Sequence, residues 1–245
     1  MQLFGHTRTR VSISHALIAP DGHVPSAFPT WENASGFVMI SPAMGADFSQ
    51  ILITFAQENG VATFPADEHE HTLYVETGSC EVILSEQIVQ LSTTGFIYIP
   101  AHTACKLRGK FTTRITVFRK IFEPHPAVAL PPLVHGLASE ITGEPFLGNP
   151  RALLKTLLPV DSRYDLAMNI FTYQPGATLP FVETHIMEHG LLMLAGQGVY
   201  RLDESYYPVT AGDVIWMAPY CPQWFVAMGN TPASYLYYKN VHRLL

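Results

Sequence analysis

The stretch Val182–Gly190, VETHIMEHG, packs two carboxylates and two imidazoles, those of Glu183, His185, Glu188 and His189, into nine residues. Such a set can hold a divalent metal, work as a general acid and base, or form a polar patch. Periodicity separates these readings. Side chains of a strand alternate faces, so an extended segment puts Glu183, His185 and His189 on one side and Glu188 on the other. On a helix, residues two apart lie about 200° around the axis from each other and the three do not converge. The spacing therefore predicts a strand with a three-ligand face. Uncompensated Glu and His side chains directed into an apolar interior would cost several kcal/mol, which favours metal binding over an idle polar patch.

The elements that must position these residues occur twice. The segment TLYVETGSCEVILSEQIVQLSTTGFIYIPAHTACKL, from Thr72, aligns without a gap with GLLMLAGQGVYRLDESYYPVTAGDVIWMAPYCPQWF, from Gly190. In each, an apolar strand reaches a turn glycine (Gly78, Gly196), a second strand follows, and a glycine-containing turn (Gly95, Gly212) leads to an aromatic-apolar strand ending at proline. Self-similarity of this kind marks a duplicated unit. Short strands punctuated by Gly, Pro, Asp and Ser predict an all-β fold of sandwich or barrel type. Between the copies, FEPHPAVALPPLVHG (Phe122–Gly136) reads as a linker packed against the domains, since proline cannot enter a central strand. Residues 1–122 are thus assigned to an N-terminal segment plus a first barrel, 123–150 to a proline-rich connection, and 151–245 to a second barrel.

The composition bounds the function. The 245 residues are 48% hydrophobic and only 14% charged, which describes a chain with real cores and no disordered domain. A formal net charge of −6 without a basic stripe argues against a nucleic-acid partner. Cys80, Cys105 and Cys221 are too few and too far apart for a disulfide framework or a zinc knuckle, and imply a reducing compartment. No stretch reads as a signal peptide or a membrane span, so the expected location is the cytoplasm.

The order of a polar ligand-type strand, a hairpin glycine, the Gly212-Asp213 turn, a strand ending at Pro219 and a polar residue just beyond resembles the cupin family of small jelly-roll barrels. The resemblance implies an all-β bicupin of two tandem barrels. It also implies four ligands in the second copy, Glu183, His185, His189 and Gln223. In the first copy the register opposes a site: His71 stands where His189 does, Asp67 and Pro65 where His185 and Glu183 do, and Cys105 where Gln223 does. His69, His71, Glu76 and His102 remain as an improvised alternative that spacing alone does not exclude.

One carboxylate, two imidazoles and one amide oxygen contain no thiolate. That donor mix suits Mn²⁺, Fe²⁺ or a similar six-coordinate ion with open positions, so hydrolysis and oxygen chemistry both stay in view. ETHIMEHG, LAGQGVYRLD, GDVIWMAPYCPQW and ASYLYYKNVHR are together similar to the C-terminal half of the (S)-ureidoglycine aminohydrolases, manganese bicupins of purine and allantoin degradation. APDGHVPSAFPTWENASGFVMISPAMGADFSQILITF resembles the family's opening segment more loosely. The resemblance implies Mn²⁺ held by Glu183, His185, His189 and Gln223, with substrate contacts at Glu183, Tyr200, Tyr235 and Lys239. It implies that Glu183 and Lys239 serve catalysis, that ureidoglycine is the small-molecule substrate, and that the protein is a homo-oligomer. By residue type alone, Tyr200 and Tyr235 are equally suited to packing a barrel wall. Lys239 is the stronger candidate, because its odd-numbered register with Tyr235 and Tyr237 puts all three on one strand face. Glu188 alternates away from the ligands, as a residue behind them or at the surface, and Trp216, Trp224 and Cys221 read as buried packing. Two rival functions share the fold, an Fe²⁺ cupin dioxygenase and a non-catalytic metabolite-binding cupin.

Overall fold

The structure, a computed structural model, describes residues 5–241; His242 and Arg243 of the ASYLYYKNVHR motif lie outside them. Regular structure among the described residues is β throughout, apart from two single-turn 3-10 segments at Pro20–Gly22 and Pro42–Met44. Every strand pairing is antiparallel, as hairpin-linked jelly-roll strands require.

The chain divides into two compact units. One comprises Val24–Thr142 and Leu157–Asp165. Its six-stranded sheet runs in the order Val134–Leu137, Gly95–Ile99, His69–Thr77, Arg114–Ile121, Phe48–Phe55, Ala34–Ile40, and its four-stranded sheet in the order Gly60–Phe64, Cys105–Gly109, Ser79–Ile83, Ile88–Ser92. The inward face of each strand is apolar, so Ile53, Leu73, Val82, Ile97, Leu107 and Val117 form a core from which water is excluded.

The other unit comprises the described residues of Met1–His23 and Leu166–Leu245, together with Gly143–Thr156. Its large sheet runs Arg10–Val11, His15–Ile18, Val214–Met217, His189–Ala195, Ala233–Asn240, Leu166–Tyr173, Asn149–Thr156, Glu144–Phe146. Ser205–Thr210, Gln197–Leu202 and Gln223–Met228 make the smaller sheet. The core here is aromatic, with Tyr173, Tyr200, Phe225 and Tyr235 packed ring to ring.

The two units repeat one register. His71 pairs with Ile99 as His189 pairs with Met217, and Arg119 pairs with His71 as Lys239 pairs with His189. The hairpin residues Gly78 and Gly196 both take positive φ, 84° and 71°. A Cβ at Gly196 would sit 2.5 Å from the Pro232 carbonyl oxygen, so the turn admits only glycine.

The division along the chain differs from a contiguous 1–122, 123–150, 151–245 partition. His15–Ile18 is a strand of the second barrel, pairing with Val214–Met217, and Val134–Leu137, expected as linker, is a strand of the first, pairing with Gly95–Ile99. These are corresponding edges of the two barrels. Each is completed by a segment from outside the duplicated unit, which satisfies backbone groups that a bare edge would leave open. Residues 144–146 and 149–156 likewise belong to the second barrel's sheet.

Candidate active site

The ligand-type segment is not a strand. Residues 182–188 carry only an isolated bridge, in which Glu183 and Gln223 exchange backbone hydrogen bonds of 2.8 and 2.9 Å, and the ladder resumes at His189. Between them the backbone finds partners elsewhere: the His185 carbonyl accepts from the Tyr220 amide at 2.7 Å, and the Glu188 amide donates to Asn240 Oδ1 at 2.9 Å. The bend matters. Four residues of straight strand would hold His185 and His189 about 13 Å apart. Here their Nε2 atoms are 3.2 Å apart, and the Gln223 side-chain amide lies 3.0 Å from His185 Nε2.

Of the three donors expected on one strand face, His185 and His189 meet, by a looped route. Glu183, His185, His189 and Gln223 line one cavity of about 140 Å³ in the second barrel. Tyr200, Tyr235, Tyr237 and Lys239 line it as well, and Phe146, Phe171, Leu179, Leu191 and Met217 supply apolar wall. That volume is below the ~300 Å³ where drug-sized sites begin, so the cavity has room only for a small molecule. Lys239 pairs in register with His189, which confirms the shared face of Tyr235, Tyr237 and Lys239. Tyr237 was legible in the same parity; its ring lies 5.5 Å from that of His189 and stacks on Phe171.

The electrostatics follow from burial. His189 is held well below the usual imidazole range, first by burial and then by the charges of His185 and Lys239. His185 is also lowered by burial, against a 3.0 Å contact between Nδ1 and the Met187 carbonyl. With Nδ1–H donating to that carbonyl, Nε2 keeps its lone pair toward the cavity, as a metal-ligating histidine does. Burial raises Glu183 and lowers Lys239, and each opposes the other's shift through its charge. Burial also raises Tyr200, Tyr235 and Tyr237, so these phenols stay protonated.

The donor set fits a six-coordinate divalent ion. Among the described residues no three His, Cys, Asp or Glu side chains are already gathered around one point. The donors that are gathered are two neutral imidazoles and an amide, which presents its oxygen when turned over. Cis ligands on bonds of about 2.1 Å stand about 3 Å apart, close to the 3.2 and 3.0 Å found here.

Glu188 points away, as its parity predicts, and is fully buried: its Oε2 accepts from Trp216 Nε1 at 3.2 Å. The first barrel has the same arrangement, with Tyr98 Oη donating to Glu70 Oε2 at 2.6 Å. Trp224 is partly buried, with Nε1 donating to the Leu179 carbonyl, and Cys221 is a buried free thiol pushed up to about 11.

The improvised site of the first barrel is not assembled. His69 and Glu76 stand at opposite ends of one strand, about 23 Å apart by its rise. Glu76 is taken by Thr116 and Arg114, while Asp67 pairs with His69 and Arg119. His71 is buried beside Phe64.

A cupin-domain family model matches residues 169–238. The (S)-ureidoglycine aminohydrolase of Arabidopsis thaliana is 36% identical over 98% of this chain and 80% of its own length. That of Escherichia coli K12 is 33% identical over 93% of this chain and 88% of its own. The crystal structure of the E. coli protein Ylba superposes with a TM-score of 0.86 at 31% identity, covering 98% of this chain and 96% of that one. With cupin topology in both units and near full-length similarity to these relatives, the chain belongs to the (S)-ureidoglycine aminohydrolase family of bicupin enzymes.

Proposed function

We propose that this chain hydrolyses (S)-ureidoglycine to (S)-ureidoglycolate and ammonia, with Mn²⁺ held by Glu183, His185, His189 and Gln223, in purine and allantoin degradation. The observation that carries the reading is the meeting of two neutral imidazoles and one amide within 3.2 Å, on a cavity wall that also carries Lys239.

A bound divalent ion supplies Lewis acidity toward substrate oxygen or nitrogen and lowers the pKa of bound water. The chain's own residues do the rest. The Lys239 ammonium pairs with the substrate carboxylate and fixes which face of the aminal carbon meets the incoming water. Tyr200 and Tyr235, protonated at all physiological pH, donate to the carboxylate or ureido oxygens. Glu183, raised by burial, carries the proton that water must lose to the amine that leaves, so water and substrate become hydroxy acid and ammonia. Phe171, Leu179 and Met217 exclude bulk water and strengthen the charge pairing. The same family reading carries a cytoplasmic homo-oligomer; no helix of the described residues is long and apolar enough to cross a membrane.

The test is ammonia release from freshly generated (S)-ureidoglycine, corrected for spontaneous decay, by protein stripped of metal and reloaded with Mn²⁺. Release that requires Mn²⁺ and the intact His185 is expected. No release above decay with Mn²⁺ bound would overturn the assignment and favour an O₂-dependent or binding cupin.

A further inference from the structure

Behind the cavity stands a phenol that does not itself line it. Tyr173 is fully buried, and its hydroxyl lies 3.2 Å from that of Tyr235, which does line the cavity. The Tyr235 ring also packs against that of Tyr200, a second lining residue, at 6.2 Å between centroids. Phe225, wholly buried, packs its ring against all three, at 5.1 to 5.5 Å between centroids, and so holds the phenols in place.

The direction of the Tyr173–Tyr235 hydrogen bond follows from what each hydroxyl can reach. Each phenol has one proton and can also accept. Among the described residues the hydrogen-bond partner of the Tyr173 hydroxyl is Tyr235, whereas Tyr235 also faces the cavity. If Tyr235 donated to Tyr173, the Tyr173 proton would be left unpaired in a dry core, the costlier arrangement. If Tyr173 donates, both groups are satisfied and the Tyr235 proton is free to turn outward.

We infer that Tyr173 is a positioning residue: it donates to the Tyr235 hydroxyl and thereby commits Tyr235 to act as a hydrogen-bond donor toward an acceptor oxygen of the substrate. The inference rests on the proposed reading for the identity of that substrate, whose carboxylate and ureido oxygens are acceptors. It selects against ligands that present only ammonium or amide N–H at this wall, because their donors would meet a donor.

Two measurements on the full chain test it. The first needs no ligand. Tyr235→Phe removes the acceptor and strands the buried Tyr173 proton, whereas Tyr173→Phe strands no donor. Thermal unfolding is therefore expected to show the lower Tm for Tyr235→Phe; equal midpoints or the reverse order overturn the donor direction. The second uses Mn²⁺-loaded protein and (S)-ureidoglycine. Tyr173→Phe is expected to lower kcat/KM by about tenfold, and Tyr173→Phe/Tyr235→Phe to be no slower than Tyr235→Phe alone, since Tyr173 acts through Tyr235. Losses that multiply in the double variant overturn the inference, because a merely structural phenol would act independently. Absence of turnover in the unsubstituted protein would defeat the functional reading, while the order of unfolding midpoints would still decide the hydrogen-bond direction.

Discussion

The Nε2 atoms of His185 and His189 face each other across 3.2 Å, although the two residues are four apart in a segment with almost no ladder pairing. Two imidazoles meet so closely only if one donates to the other or both turn lone pairs to a shared cation, and both are held neutral by burial. His185→Ala is expected to weaken Mn²⁺ binding by more than the ~10–100-fold that follows loss of an outer partner of a ligand. Metal content after dialysis and the metal-free unfolding midpoint check it together. Unchanged Mn²⁺ retention would remove His185 from the site, and a collapse of the metal-free midpoint would make its role structural.

Lys239 sits on the same strand face as Tyr235 and Tyr237, beside His189 in register. Lys239→Met should lower kcat/KM for (S)-ureidoglycine by about 10²–10³-fold, the effect of stripping a desolvated carboxylate of its charge partner. Mn²⁺ content should not change. Lys239→Arg should restore little, because a planar guanidinium cannot replace a compact ammonium in a cavity of about 140 Å³. Activity within twofold of the parent in Lys239→Met would end the case for a carboxylate partner here.

Lys239 was legible in the sequence because strand parity is a local rule, and its strand is regular from Ala233 to Asn240. That Glu183, His185 and His189 line one cavity was legible as a set of residue types, but the route by which His185 and His189 meet was not. An unbroken strand was expected, and the chain instead bends because Tyr220 and Asn240 capture backbone groups between residues 184 and 188. Both captors are more than thirty residues away in sequence, where no local pattern reaches. The edge strands His15–Ile18 and Val134–Leu137 escaped for the same reason. Each pairs with a segment chosen by the closed barrel, and His15–Ile18 has nearly the whole chain between it and its partner.

The first barrel offers a pH test. Burial pushes His71 down to about 3 from its ordinary 6.5, and among the described residues neither ring nitrogen has a hydrogen-bond partner. Above pH 6.5 the imidazole is neutral in both folded and unfolded chains, so it contributes no pH dependence. Between 6.5 and about 3 the unfolded chain binds a proton that the folded chain refuses, and stability falls as pH falls, by up to ~1.4 kcal/mol per pH unit. His71→Leu should flatten that part of the profile. Chemical denaturation at pH 7.5 and pH 5 would show it, and parallel losses in the two proteins would mean that His71 is not the titrating group.

Arg8 anchors the N-terminal segment to the second barrel. Its two terminal nitrogens donate to Asp213 Oδ2 and Oδ1 at 2.8 and 2.6 Å, and the Thr210 amide also donates to Oδ2. The Asp213 side chain is fully buried, so removing the guanidinium leaves a carboxylate in the core with much of its charge uncompensated. Asp213 directly precedes the strand Val214–Met217, whose last residue pairs with His189 on one side and whose outer edge takes His15–Ile18 on the other. Arg8→Ala is therefore expected to cost about 1–3 kcal/mol of stability, less at high salt because Arg8 itself is 40% exposed. Amide exchange should quicken first along Val214–Met217 and His15–Ile18, while the Mn²⁺ affinity changes little, since His189 is also held by its pairing with Lys239. An unfolding midpoint equal to that of the parent, at low and high salt alike, would show that strand pairing alone fastens the segment.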